Sequence, residues 1–139
     1  MAKREQDLTP AVEQHYVRNV LSGDVIDIMP GIVGRPGVTG IPPGLDIAMR
    51  MGADLIELEG GRSFPVHTHR GAHILYVLDG AGTVTIGGKT WPTGPGDLYF
   101  VPANVEHAVG AIERHRLISI GLPHFALDDP RRMTVMDGD

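Results

Sequence analysis

The sequence contains no cysteine, so disulfides, thiolate metal ligands and a cysteine nucleophile are all excluded. Aromatic residues are scarce, at 5% of a 139-residue chain, whereas glycine (19) and proline (11) are abundant. That mixture favours many short strands joined by tight turns over long helices. Basic residues are outnumbered, giving a formal net charge of −5, and no basic patch is present to neutralise nucleic-acid phosphates. No apolar run approaches the roughly 18 residues of a membrane span. The opening MAKREQD is polar and leads into no apolar segment, so no signal peptide is expected. The expectation is one soluble, cytoplasmic domain with a small molecule as partner, and neither nucleic acid nor membrane. At this length roughly 68–70% of the unfolded surface can be buried.

Residues 1–23 support two readings. Thr9 and Pro10 suit a helix start, Gly23 a stop, and Val12, Tyr16 and Val20 recur every fourth residue, as on an amphipathic helix. The stretch HYVRNV instead has the β-branched content of a strand. From Gly31 to Gly44, GIVGRPGVTGIPPG reads as irregular, because prolines remove donors and glycines add chain entropy. It is either a surface connection or a loop across the mouth of a barrel. Beyond it, LDIAMRM and ADLIELE read as strands separated by Gly52. HILYVL, TVTI, KTW, LYFV and HRLISIGL follow as further strands, with Gly87-Gly88 supplying a two-residue hairpin turn. Short strands at this spacing describe an all-β barrel or sandwich. The tail DDPRRMTVMDGD is polar enough to be docked or loose. The layout is therefore an N-terminal extension and Gly/Pro-rich loop over 1–44, a barrel over 45–125 and a tail over 126–139.

The segment PVHTHRGAHILYVLDG carries three histidines. On an extended strand, residues i and i+2 face the same way, so His67 and His69 present their imidazoles together. Pro65 favours an edge position that leaves this end accessible. The bend offered by Arg70-Gly71-Ala72 lets His73 turn toward the same point, and His107, in VPANVEHAVGA, is a further candidate from a distant segment. Imidazoles gathered from two segments suit a transition metal. Spacing alone leaves this reading level with a pair of partly exposed strand histidines and a satisfied surface His107.

Residues 61–111 resemble the two motifs of the cupin superfamily. Gly61, His67, His69 and Gly80 fall on the first, G-x5-H-x-H-x3,4-E-x6-G, with His73 at the glutamate position. Gly96, Pro102 and His107 fall on the second, G-x5-P-x-G-x2-H-x3-N, with Asn104 in place of glycine and Ala111 in place of asparagine. The change to Asn104 is mild, because asparagine tolerates left-handed backbone. The resemblance implies an all-β double-stranded β-helix, a cupin jelly-roll barrel with an N-terminal extension and a metal inside its mouth. It implies ligand roles for His67, His69, His73 and His107. It also implies a homodimer, in which the N-terminal region exchanges strands between subunits.

With His73 replacing a carboxylate, the ligands leave a divalent ion its full charge. Such an ion is a stronger Lewis acid and attracts enolates, carboxylates or hydroxide. Four protein ligands on an octahedral ion leave two positions, enough for a dicarbonyl or two waters. Zinc is the first choice of cofactor, with Fe, Ni, Co and Mn compatible. If His73 only packs at the strand start, a water fills its place. Neutral ligands imply metal loss below about pH 6.5. No general base stands out beyond metal-bound water or hydroxide. Arg70, Tyr76, Trp91, Phe100 and Met51 are candidates to line a substrate pocket, although Arg70 also suits an exposed turn and the other four the core. Glu106 is expected to face solvent, and His15, His115 and His124 to be structural or surface residues. In size and ligand pattern the chain is similar to cupin-type aromatic polyketide cyclases, which implies Lewis-acid ring closure of an enolisable polyoxo substrate. The alternatives are a ferrous dioxygenase that cleaves a diketone or aromatic ring, and a non-catalytic binding module.

Overall fold

The computed structural model describes residues 17–40 and 46–136. Its strands, in chain order, are β1 (Ile26–Met29), β2 (Ile32–Gly40), β3 (Met51–Leu58), β4 (His67–Thr68), β5 (Ala72–Asp79) and β6 (Gly82–Ile86). They continue with β7 (Lys89–Thr93), β8 (Leu98–Val101), β9 (His107–Ala111), β10 (His115–Leu122) and β11 (Thr134–Val135). Two antiparallel sheets result, ordered β1-β2-β3-β10-β5-β8 and β11-β4-β9-β6-β7. This is the all-β double-stranded β-helix expected. No helix among the described residues is long and apolar enough to cross a membrane.

Period-two alternation makes the core. Along β5, His73, Leu75 and Val77 are buried while Ile74, Tyr76 and Leu78 are exposed. On β10 the inward set is His115, Leu117, Ser119 and Gly121. Leu75, Val77, Val84, Val101, Val109 and Leu117 meet between the sheets, with Ile32, Ile56 and Leu58 from β2 and β3. The turn after β6 uses Gly87 (φ 57°) and Gly88 (φ 86°), the positive angles that a tight two-residue hairpin demands.

The segment read as an irregular loop from Gly31 to Gly44 is largely a strand. β2 pairs with β3 from Ile32↔Leu58 to Gly40↔Met51, and the register slips between Pro36 and Val38. That bulge is how the proline is accommodated. β1 reaches only as far as Gly34 on the other side of β2, so Pro36 withholds no donor from it. The extra residue, Gly37, donates its N–H to the Asp54 carboxylate at 3.0 Å. The sheet therefore begins at Ile26, well before residue 45. Residues 41–45 lie outside the described part.

Two smaller expectations also change. LDIAMRM is not a strand: Ile47–Met49 form a 3-10 turn with Asp46 accepting at its start, and Gly52 lies inside β3. The helix proposed from Thr9 falls mostly outside the described residues. Its described end is a turn, in which the Asn19 side chain accepts from Leu21 N–H, so the HYVRNV stretch carries no strand beyond Tyr16. The tail is docked: β11 pairs with β4 through Thr134↔Thr68 and Val135↔His67.

Candidate metal centre

The register of two strands brings His67 and His107 together. They are direct partners across β4 and β9, and their rings lie 4.2 Å apart. His69, two residues on, faces the same way, and its ring is 4.7 Å from that of His67 and 4.8 Å from that of His107. Ligand-capable nitrogens of these three lie within 4.8 Å of one another. His73 arrives from the opposite sheet on β5, outside that trio, with its ring 4.2 Å from that of His69. The loop before β9 is tied to the first segment, since Asn104 N–H donates to His69 O at 2.8 Å. Asn104 adopts φ 62°, the left-handed conformation its side chain tolerates.

Hydrogen bonds fix which nitrogen each imidazole offers. Nδ1 of His67 meets Pro65 O at 2.6 Å, Nδ1 of His69 meets Arg132 O at 2.5 Å, Nδ1 of His73 meets Gly71 O at 3.1 Å, and Nδ1 of His107 meets Val105 O at 2.9 Å. A carbonyl only accepts, so each Nδ1 must donate. Every Nε2 is then left with a bare lone pair. His67 Nε2 and His69 Nε2 are 3.2 Å apart, and two lone pairs that close repel unless a cation lies between them. Protons are poor candidates. Burial lowers His67 to about 4, helped by the nearby His107, and lowers His69 to about 2, helped by His73. Burial and the charge of Arg132 lower His73 to about 4, and burial also lowers His107. The donor set therefore fits a divalent metal held by neutral nitrogen, with carbonyls orienting each ring. Protons compete with a metal only well below the pH of 6.5 expected of free imidazole.

The cavity at this centre has a volume of about 400 Å³. All four histidines line it, with Phe64 and Leu75 on its apolar wall. Its remaining lining was not anticipated. Asp27 comes from β1, while Leu127, Asp128, Asp129, Pro130, Arg132 and Met133 come from the tail folded back over the mouth. The sequence offered one signal for this, the density of charge in DDPRRM, but nothing to say where it docks.

None of the five pocket candidates lines the cavity. Tyr76 and Phe100 sit on the outer face of their sheet, out of phase with His73, and are exposed. Met51 is exposed at the start of β3, and Trp91 lies on the edge strand β7 with the Lys89 ammonium 5.1 Å from its ring centre. Arg70 is exposed, with its guanidinium 5.8 Å from the centre of the Phe125 ring. Glu106 does face solvent. His115 and His124 are buried structural residues, and His15 lies outside the described part.

Facing antiparallel sheets with an imidazole cluster between them at one end define a jelly-roll barrel built to hold a small site. Residues 54–121 match the model of the cupin domain, so this part of the chain is a cupin domain. Solved structures similar to it include an RmlC-like cupin from Shewanella frigidimarina (23% identity, TM-score 0.70), covering 79% of this chain and 92% of that one. KdgF from Halomonas sp. is similar at 22% identity and TM-score 0.69, with 80% and 96% covered. A salicylate 1,2-dioxygenase variant from Pseudoaminobacter salicylatoxidans is similar at 22% identity and TM-score 0.58, over 70% of this chain but only 29% of that one. At these identities the likeness is one of fold. No curated protein matches the chain in sequence.

Proposed function

We propose that the chain is a small metal-dependent cupin enzyme in which His67, His69, His73 and His107 hold one divalent ion, zinc by first choice. Its reaction in this reading is Lewis-acid ring closure of an enolisable polyoxo substrate, of the polyketide-cyclase type. One observation carries the reading: four imidazoles, three buried and that of His69 half-buried, have Nδ1 committed to carbonyls, and no carboxylate stands among them. A divalent ion with neutral ligands supplies Lewis acidity that stabilises an enolate. The chain's own residues supply the rest. Phe64, Leu75, Val109, Leu117 and Leu127 make an apolar wall that keeps water from the substrate. Asp27 and Asp128 line the same cavity as carboxylates able to accept a substrate proton.

The same neutral donors suit ferrous iron, which makes a diketone- or ring-cleaving dioxygenase the second reading. Elemental analysis of protein purified without added metal, paired with oxygen-uptake measurements, separates the two. Stoichiometric zinc without oxygen consumption supports the first. Iron with substrate-dependent oxygen uptake overturns it, and ligand affinity without turnover leaves a binding module.

A further inference from the structure

The Arg132 side chain lines the cavity and is only 13% exposed. One of its nitrogens, Nη1, is committed to the protein, donating to Asp54 Oδ2 at 3.0 Å and to Phe125 O at 2.6 Å. Asp54 is itself over-determined. It accepts from Gly37 N–H at 3.0 Å and lies 2.7 Å from His124 Nε2, whose other ring nitrogen meets Thr39 Oγ1 at 3.1 Å. Burial raises this carboxyl, but the His124 hydrogen bond and the Arg132 charge outweigh that, so it stays an anion below the usual carboxylate range. The guanidinium is thus anchored from behind by a fixed negative charge. No described residue accepts from its Nε or Nη2.

We infer that Arg132 is a binding residue for a carboxylate group on the substrate, which makes the substrate an oxo acid. This rests on the metal-chelating reading above, and refines it. A guanidinium edge offers paired N–H donors matched to a carboxylate, the geometry a lysine lacks. Charge along the cavity sets the orientation. Asp27, Asp128 and Asp129 line it as carboxylates and repel an anion, although Asp129 is paired with Arg131 at 2.7 Å, whereas the cation is the largely buried, anchored Arg132. A molecule with its carboxylate inward and neutral or hydroxyl groups outward fits that polarity. The backbone of the same residue orients His69, so one residue of the folded-back tail couples the metal ligand to the anion site.

The test compares two β-diketones that differ by a carboxylate, 2,4-dioxopentanoate and acetylacetone, binding to zinc-loaded protein by calorimetry. The wild type is expected to prefer the carboxylated probe by roughly tenfold or more, the scale of a charged hydrogen-bonded pair. Arg132→Gln should remove that preference, with zinc content and acetylacetone affinity retained. Arg132→Lys preserves a cation for Asp54, guarding against misfolding, and should lose most of the preference because it lacks the second donor edge. An unchanged preference in the folded variants overturns the role of Arg132 while sparing the metal reading. Loss of zinc in Arg132→Lys overturns it too, by making the side chain a support of the metal. Binding of neither probe to zinc-loaded wild type overturns the chelation reading and this inference with it.

Discussion

The six histidines among the described residues divide into two groups that burial distinguishes poorly. His67, His73 and His107 at the barrel mouth are 3%, 5% and 3% exposed, with His69 beside them half-buried, and His115 and His124 are 0% and 3% exposed. What differs is the second nitrogen. His115 sets Nδ1 on Asp79 O and Nε2 on Thr93 Oγ1, and His124 sets its nitrogens on Thr39 and Asp54. Both rings are fully satisfied within the protein. At the mouth, each ring has one satisfied nitrogen, while the Nε2 atoms have no donor to meet. Imidazole lone pairs left free of protein donors and facing a shared cavity describe a site that a metal completes. Counting histidines would have treated all six alike.

The largest way to break this contrast is to exchange the consequences of mutation. His107→Ala removes a ligand from the central trio, and chelator competition should register a loss of metal affinity well beyond about 100-fold, the upper range for supporting residues. His115→Ala should leave metal stoichiometry and affinity unchanged, yet lower stability by about 2 kcal/mol through a cavity and an orphaned Thr93 hydroxyl. If His115→Ala releases metal as readily, the division between the groups is wrong. His73→Ala tests the member contributed by the opposite sheet. Its loss should exceed roughly tenfold, whereas unchanged affinity would confine the ligands to His67, His69 and His107.

Acid offers a gentler test. The mouth imidazoles titrate below their ordinary value when folded, so the unfolded chain binds more protons over that interval. Their contribution to the stability of the metal-free protein is complete above pH 6.5 and is lost as pH falls toward about 4. Urea midpoints measured across that range should fall with pH. A flat profile would mean that the rings are already solvated enough to charge without penalty.

Legibility followed locality. The H-x-H pair was readable because strand alternation is a rule about two neighbouring residues, and β5, β6, β8 and β10 were readable from runs bounded by glycine and proline. His73 and His107 needed register against motif glycines, since no local rule says which strands of opposite sheets converge. The β2 strand was misread because its proline and glycine were weighed without the bulge and the short β1 partner that excuse them. The place of Arg132 and Asp128 was illegible for a plainer reason: the tail is held by two ladder pairs between β11 and β4 and by the Arg132–Asp54 pair, contacts of very long sequence separation with little pattern of their own. Tyr76 and Phe100 fall outside the cavity because aromatic character does not reveal a sheet face, and a shift of one residue sends a side chain outside.

The smallest expected effect probes the supported geometry of one ligand instead of its presence. Gly121 is the direct partner of His73 across β10 and β5, and a Cβ there would lie 3.1 Å from His73 Nε2. Contact that tight forces the ring to give by a few tenths of an ångström, without touching His67, His69 or His107. Gly121→Ala should therefore reduce metal affinity by only about two- to tenfold, below the roughly 10- to 100-fold cost of losing a residue that orients a ligand. The same substitution made in His73→Ala should cost no further affinity, because the ring it displaces is gone. Additive losses in the double variant would show that Gly121 acts elsewhere in the barrel, and no loss in the single variant would show that His73 Nε2 is not on the metal.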